Sequence, residues 1–528
     1  MVRPNARRVP GLAIQIVLIV CVLGTIAGYW WGSEFDRAIP NIVALVTTFV
    51  AATSLLGWFA FRSSYPPLLR LLVPLSVVGV IVMLAACFRI EETTGTLIPV
   101  LRPRWEPKAD QKLSQPETEL AKDAIDLSPT ESDFPRFLGP QGIPVVAMPD
   151  PPLARDWSTQ PPKQLWKQPI GGGWGGFSVV HGYAVTLEQR GDEELVTCYE
   201  VRTGKLVWSH STTTRHETVL GGVGPRSTPL IHDGRVYALG AHGLLRCLDG
   251  QTGKLLWTYD VYEKTSNTPE KDITLVAWGR SGSPLLVDDK VVIPVGGPPG
   301  GPFVSLVALD RLTGEEIWKA GSTQVSYASP LLVQLGGRSQ IINVNEASVT
   351  GHDPETGGIL WEREWIGHSN GDANTSQPIV LPEDRLLLTK GYGVGAALFQ
   401  LKPSGDKFEL DEIWRRPRSL RTKFTSVAVH DGHAYGLSDG ILECVELEKG
   451  ASRWKHRGFE HGQVLLVGDL LLVLSETGEL ALVEATPASY RQIGSFQALE
   501  GKTWNTLCLT GRLLLIRNGQ EAGCWELP

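Results

Sequence analysis

Five stretches of this chain share one grammar: CYEVRTGKLVW (198–208), CLDGQTGKLLW (247–257), ALDRLTGEEIW (308–318), GHDPETGGILW (351–361) and CVELEKGASRW (444–454). Eight residues before each tryptophan stands an acid: Glu200, Asp249, Asp310, Asp353 or Glu446. Four before it stands a glycine, Gly204, Gly253, Gly314, Gly357 or Gly450, and threonine precedes four of these. A unit that returns every ~40–60 residues is a supersecondary element stacked on copies of itself. An acid in a turn accepts hydrogen bonds from turn amides. Glycine supplies the positive φ of a tight hairpin. Tryptophan then ends the returning strand with a ring large enough to pack between neighbouring sheets.

Strand starts repeat too. SerThrPro (227–229), SerProLeu (283–285 and 329–331) and GlnProIle (377–379) each open an apolar strand, and ThrSerVal (425–427) does so without the proline. Proline at a first strand position removes no ladder bond. Each unit reads as four antiparallel strands, a propeller blade. Blades are expected to begin near Phe177, Ser227, Gly282, Ala328, Ser376, Thr425, Gln463 and Trp504. The seventh lacks the tryptophan, and a count of seven stays open if that unit is not a blade. The eighth stops one strand short at Pro528, so the strand around Trp166 (164–169) is expected to complete it and close the ring.

The first 90 residues are different material. Gly11–Gly32, Pro40–Phe61 and Leu71–Phe88 are uncharged apolar runs, each near the ~20 residues that cross a bilayer as a helix. Arg3, Arg7 and Arg8 precede the first run, and Arg62 and Arg70 lie between the second and third. Between the first and second stand Glu34, Asp36 and Arg37. The positive-inside rule makes the N-terminus cytoplasmic and places everything after the third span on the far side. The expected setting is a bacterial inner membrane with a periplasmic propeller. Leu84–Cys87 has the form of a lipoprotein cleavage site, but after two earlier spans it reads as small residues in a helix.

Residues 91–162 are proline-rich and acidic without apolar period, and are expected as a partly disordered extracytoplasmic stalk. Trp105 and FPRFLGPQG (134–142) are the segments expected to dock on the domain that follows. Net charge is −7, and lysine and arginine form no long cluster, so nucleic acid is not an expected partner. The fold class is therefore all-β: an eight-bladed propeller over residues 163–528, preceded by a three-helix transmembrane anchor in 1–90.

The acid-x-x-Thr-Gly-x-x-x-Trp motif resembles the repeat of the PQQ-type (pyrroloquinoline quinone) propellers, over roughly 164–528. The resemblance implies either of two functions. One is a membrane-bound dehydrogenase that uses PQQ with calcium and passes electrons to quinone. The other is a non-catalytic scaffold, as in the propeller subunit of the outer-membrane β-barrel assembly machinery. Fold likeness does not decide between them.

Cys198, Cys247, Cys444 and Cys524 occupy one strand slot that holds Ala308, Gly351 or Leu482 in other blades, so they read as buried small hydrophobes. No two cysteines are adjacent, and none has metal-site spacing. The loop GHSNGDANTSQ (367–377) offers Asn370, Asp372 and Asn374 as oxygen donors for calcium, but reads better as a turn. GGGWGG (171–176) lacks the lysine and helix of a phosphate loop. Variety concentrates just before the strand starts, at one rim of the channel: Trp174, Arg226, Ser281, Tyr327, Thr375, Phe424, His461 and Trp504, with Arg280 and Lys423 as neighbours. Aromatic anchors with a few cations suit a heterogeneous binding surface. Trp174, Arg226, Arg280, Tyr327, Lys423, Phe424, His461 and Trp504 are therefore the candidate ligand-binding residues. A binding or scaffold module for a protein or small ligand is the preferred reading, and the compact propeller leaves little room for a cofactor pocket.

Overall fold

The repeats fold as eight four-stranded antiparallel sheets, spanning 178–213, 230–260, 285–320, 331–364, 379–416, 428–456, 463–497 and 508–526. The computed structural model describes residues 9–32, 35–114 and 120–528. The seventh unit is a blade despite its missing tryptophan. The eighth blade takes its outer strand from Lys163–Pro169, with Trp166 opposite Cys524, so the two ends of the propeller sequence close the ring in one sheet.

The repeat motif performs the work expected of each residue. The Asp249 carboxylate accepts from the Thr252 amide and hydroxyl, both at 2.9 Å. Asp310 and Asp353 receive the corresponding amides of their own turns. The tryptophan serves the next blade rather than its own. Trp208 donates Nε1–H to the Gly250 carbonyl (2.9 Å) and its ring lies over Gly253. Trp166, Trp257, Trp318 and Trp414 cover Gly204, Gly314, Gly357 and Gly450 in the same way. Trp361 departs from the pattern because the fifth blade has a long hairpin in place of the Gly turn; its Nε1–H goes to Gln340 of its own blade. Gly253 has φ +79°, and a Cβ there would stand 2.8 Å from the Trp208 ring. Gly253→Ala should therefore destabilise the propeller by more than about 1 kcal/mol, read as a lower urea midpoint.

The strand-start residues form a belt around the channel. Backbone N–H groups donate from Gly176 to Thr228 Oγ1, Thr228 to Ser283 Oγ, Ser283 to Ser329 Oγ, Ser329 to Gln377 Oε1 and Gln377 to Ser426 Oγ, at 2.8–3.1 Å. Gln463 Nε2 bridges the carbonyls of Phe424 and Trp504, and Asn505 Nδ2 returns to those of Gly173 and Gly175. Each buried amide thus finds its acceptor in the next blade.

In the first unit, 1–107, α1 (Leu12–Ala27, continued by a π-turn to Gly32), α2 (Ile39–Arg62) and α3 (Pro67–Cys87) are each long and apolar enough to cross a membrane. Gly24, Gly28 and Gly32 of α1 lie against Thr47, Val43 and Ile39 of α2, a small-residue contact that brings two helices close. The Thr25 and Thr47 hydroxyls meet at 2.7 Å. Arg3, Arg7, Arg8 and Glu34, on which the orientation argument draws, lie outside the described residues.

Several segments of the stretch expected as a stalk, residues 91–162, are seated against neighbouring elements. Trp105 packs against Phe88 in the first unit, ring centroids 6.3 Å apart. From Lys108 on, the chain belongs to the second unit. Leu127, Leu153 and Trp157 are buried in the grooves of the blades. Residues 132–148 cross the end of the channel where the first and second strands of each blade turn. Ser132 O accepts from Thr510 in blade eight, Phe134 exchanges backbone bonds with Val179 in blade one, and Pro135 O accepts from Ile231 in blade two. Gly142 lies on Leu331 of blade four, and Val145–Val146 pair in parallel with Leu466–Val467, the innermost strand of blade seven. These apolar residues carry no period because each fills a different gap around the ring.

Candidate functional site

At the opposite end, where the inner strands begin, loops from several blades converge on a cluster of rings. Phe424 stacks on Trp504 at 4.5 Å, and Trp504 meets Trp174 at 5.3 Å. Phe424 also touches His461 (6.1 Å) and Trp278 (6.2 Å), and Trp278 meets Tyr327 at 5.1 Å. Trp174, Trp278, Phe424 and Trp504 are half-buried, whereas Tyr327 and His461 are buried. The shelf therefore presents ring faces from blades one, six and eight, joined across the axis by the loop before blade three.

Hydrogen bonds hold three of the rings, those of Trp174, Trp504 and Tyr327. Trp174 Nε1–H donates to the Gly221 carbonyl at 2.7 Å. Trp504 Nε1–H donates to Glu476 Oε1 (3.2 Å), and the other Glu476 oxygen receives the His461 amide. The Tyr327 hydroxyl donates to Ser369 O (2.5 Å) and accepts from the Trp278 amide (3.1 Å). Rings fixed by hydrogen bonds are pre-organised, so contact with a ligand costs little side-chain entropy.

The cations separate into three settings. Arg280 is buried and committed: its guanidinium pairs with Asp272 at 2.7 Å, donates to Val295 O and lies over the Tyr262 ring. Lys423 is buried beside Asp439 (3.2 Å), which also faces His461 Nε2 at 3.6 Å. Arg226 is half-buried and bonded to the carbonyls of Gly221, Gly222 and Gly224, with no carboxylate in ion-pair reach among the described residues. Burial pushes its pKa down to about 10. Beside it His216 is driven to about 2 by burial, by Arg226 and by His242, and stays neutral.

Thus Trp174, Phe424, His461 and Trp504 come together, Tyr327 joins through Trp278, and Arg226 stands behind Trp174 through the shared Gly221 carbonyl. Arg280 and Lys423 do not converge with Arg226 on one point. Sequence reasoning missed Trp278, Lys502 and Glu476. Lys502 holds its ammonium 4.3 Å from the Trp504 ring centroid and 4.7 Å from that of Trp174. Trp278 carried one signal: a lone tryptophan in the long inter-blade insertion, two residues before Arg280.

Calcium takes about six to eight oxygens. Among the described residues no group of three or more His, Cys, Asp or Glu is placed to hold a metal. In the loop of 367–377, Asp372 pairs with Lys390 (3.3 Å), and Asn370 and Asn374 turn their amide nitrogens to backbone carbonyls. Cys198, Cys247, Cys444, Cys508 and Cys524 are free and buried in the blades, and burial raises the thiols of Cys247 and Cys444 to about 11.

Comparisons with known proteins follow the fold. BamB from Moraxella catarrhalis is 15% identical over 69% of this chain and 99% of its own, with a TM-score of 0.48. A europium-containing methanol dehydrogenase is 10% identical over 74% of this chain and 90% of its own, TM-score 0.46. Quinohemoprotein alcohol dehydrogenase from Comamonas testosteroni is 12% identical over 75% and 80%, TM-score 0.46. No protein with a curated description matches the chain. The family model described as outer membrane protein assembly factor BamB matches residues 191–456, from the first blade through the sixth, and the chain belongs to that family of PQQ-like propellers.

Proposed function

We propose that this protein is a binding module: a propeller displayed outside the cytoplasm, held at a bacterial inner membrane by three helices, that takes a protein segment or small ligand at its aromatic mouth. The observation that carries the reading is the shelf of Trp174, Trp278, Phe424 and Trp504, half-exposed and packed ring on ring, with the Trp174 and Trp504 indoles held by hydrogen bonds, at the end of the channel opposite the 132–148 segment. Aromatic anchors of this kind supply most of the energy at recognition sites. The neighbouring Arg280, Lys423 and Glu476 are engaged with protein partners, which suits a scaffold more than acid–base chemistry. The three apolar helices and the arginine distribution support the anchored arrangement.

Arg226, a cation bonded only to carbonyls, favours the second reading, a PQQ-dependent dehydrogenase. Titration of the full-length protein in detergent with PQQ and calcium separates the two. Micromolar binding supports the dehydrogenase; none at millimolar cofactor supports the module. In the latter case, photo-crosslinking from the mouth in cells is expected to capture a discrete adduct, and Trp504→Ala should reduce its yield at least tenfold, the equivalent of losing about 1.4 kcal/mol. Unchanged yield removes the mouth from the binding surface.

A further inference from the structure

The third helix ends without a linker. Cys87 closes α3, and the next residue begins β1 (Phe88–Thr93), which pairs antiparallel with β2 (Pro99–Pro103). The two strands make an isolated ribbon, and two strands alone are marginal in water. Its sides differ. Phe88 pairs with Pro103 and Ile90 with Leu101, so by strand alternation these four share one face. Arg89 stands opposite Arg102 on the other face, where Arg89 also pairs with Glu91 at 3.0 Å. The apolar face is uncovered: Ile90 is 49% exposed and Leu101 58%, and Trp105, packed on Phe88, is 72% exposed.

The ribbon is tied to helix ends on one side of the anchor. The Arg104 amide donates to Cys87 O (2.8 Å), and its guanidinium to the carbonyls of Ala85 (2.9 Å) and Phe88 (3.1 Å). Asn41 Nδ2, in the first turn of α2, donates to Thr96 O at the hairpin tip (2.8 Å). The ribbon is thereby held at the depth where α2 begins and α3 ends. An exposed apolar face, a tryptophan and three arginines at that depth match the membrane–water boundary, where aromatic rings settle and arginine stems lie along apolar surface with the head in water.

We propose that the Phe88–Trp105 hairpin lies on the lipid surface, with Ile90, Leu101 and Trp105 in the boundary between headgroups and acyl chains and Arg102 facing water. It acts as an interfacial float that fixes the level at which the chain leaves the bilayer. The inference rests on the three helices crossing a membrane.

Nitroxide labels in the full-length protein, reconstituted in phosphatidylethanolamine–phosphatidylglycerol nanodiscs, test it. Cys21 and Cys87 are replaced by serine, and the five propeller cysteines are buried. Labels are placed at Leu101→Cys, Trp105→Cys, Arg102→Cys and, as a reference inside α3, Ile81→Cys. The expected result is a ratio of oxygen to nickel-chelate collisions several-fold higher at 101 and 105 than at 102, with 81 higher still. If 101 and 105 collide with the nickel chelate as freely as 102 while 81 stays in lipid, the float is overturned and the anchor stands. If 101 and 105 are shielded from both reagents, protein rather than lipid covers the face, and the proposal also fails. If 81 meets the chelate freely, the anchor itself is wrong and the float falls with it.

Discussion

Phe134→Ala is expected to lower the unfolding free energy of the propeller by about 3–5 kcal/mol, the cost of emptying a fully buried aromatic site. Phe134 is 1% exposed and packs with Ile170, Phe177, Val179 and Cys508, residues of the first and last blades. Its backbone exchanges two hydrogen bonds with Val179, at 2.9 and 2.7 Å. The position is also shaped for the ring: Gly139, at φ +85°, approaches so closely that a Cβ there would stand 2.7 Å from it. Loss of the ring should loosen the whole 132–148 crossing, because its other contacts are scattered and small. Urea unfolding followed by tryptophan fluorescence should show the lower midpoint, and hydrogen exchange should rise first in residues 132–148. A change below about 1 kcal/mol would mean that this segment lies outside the cooperative unit.

The second large effect lies at the closing seam. Arg517 of blade eight is fully buried and donates to Thr186 Oγ1 (2.7 Å), Leu187 O (2.9 Å) and Gly171 O (2.7 Å) of the first-blade side. Glu188, also fully buried, accepts from the Gly171 amide, Arg190, Thr197 and Tyr199 at 2.6–3.0 Å. Burial by itself raises the Glu188 carboxyl, but Arg190 and Arg517 with the hydrogen bonds hold it below the usual glutamate value. A folded pKa below the unfolded one contributes stability above the unfolded pKa and loses it as pH falls through the folded one. Arg517→Met should therefore act twice. It should cost about 3–5 kcal/mol at neutral pH by leaving buried acceptors without their donor and less positive charge beside the buried Glu188 carboxylate, which keeps Arg190. It should also raise the Glu188 pKa, so acid unfolding begins at higher pH than in the parent protein. Guanidinium midpoints measured between neutral and acid pH check both. A parallel loss at every pH would remove Glu188 from the account.

How far the site was legible in the sequence follows from what kind of residue each one is. Trp174, Phe424 and Trp504 were visible because they break a monotonous repeat at a fixed offset from the strand start. Trp278, Lys502 and Glu476 were not, because they sit off that offset, and Trp278 meets Phe424 only across the channel axis. Arg280 and Lys423 looked like ligand cations by position; Asp272 and Asp439, which engage them, come from an inter-blade insertion and a second-strand end that no offset singles out. The strand-start serines, threonine and glutamine were visible as a pattern, but their belt of hydrogen bonds was not, since each donor and acceptor are ~50 residues apart.

The sequence alone determined the blade, the strand that closes the ring and three helices long enough for a membrane, and it left the count between seven and eight blades. These depend on local physics: turn glycines, acid-capped turns, a tryptophan at fixed spacing and uninterrupted apolar runs. Only the tertiary structure decided that residues 132–148 cross one end of the channel, that rings from distant blades form a shelf at the other, and that the Phe88–Trp105 ribbon is tied to two helix ends. Each of those is made by residues that share no period, and a contact without a period has no signature until the chain is folded.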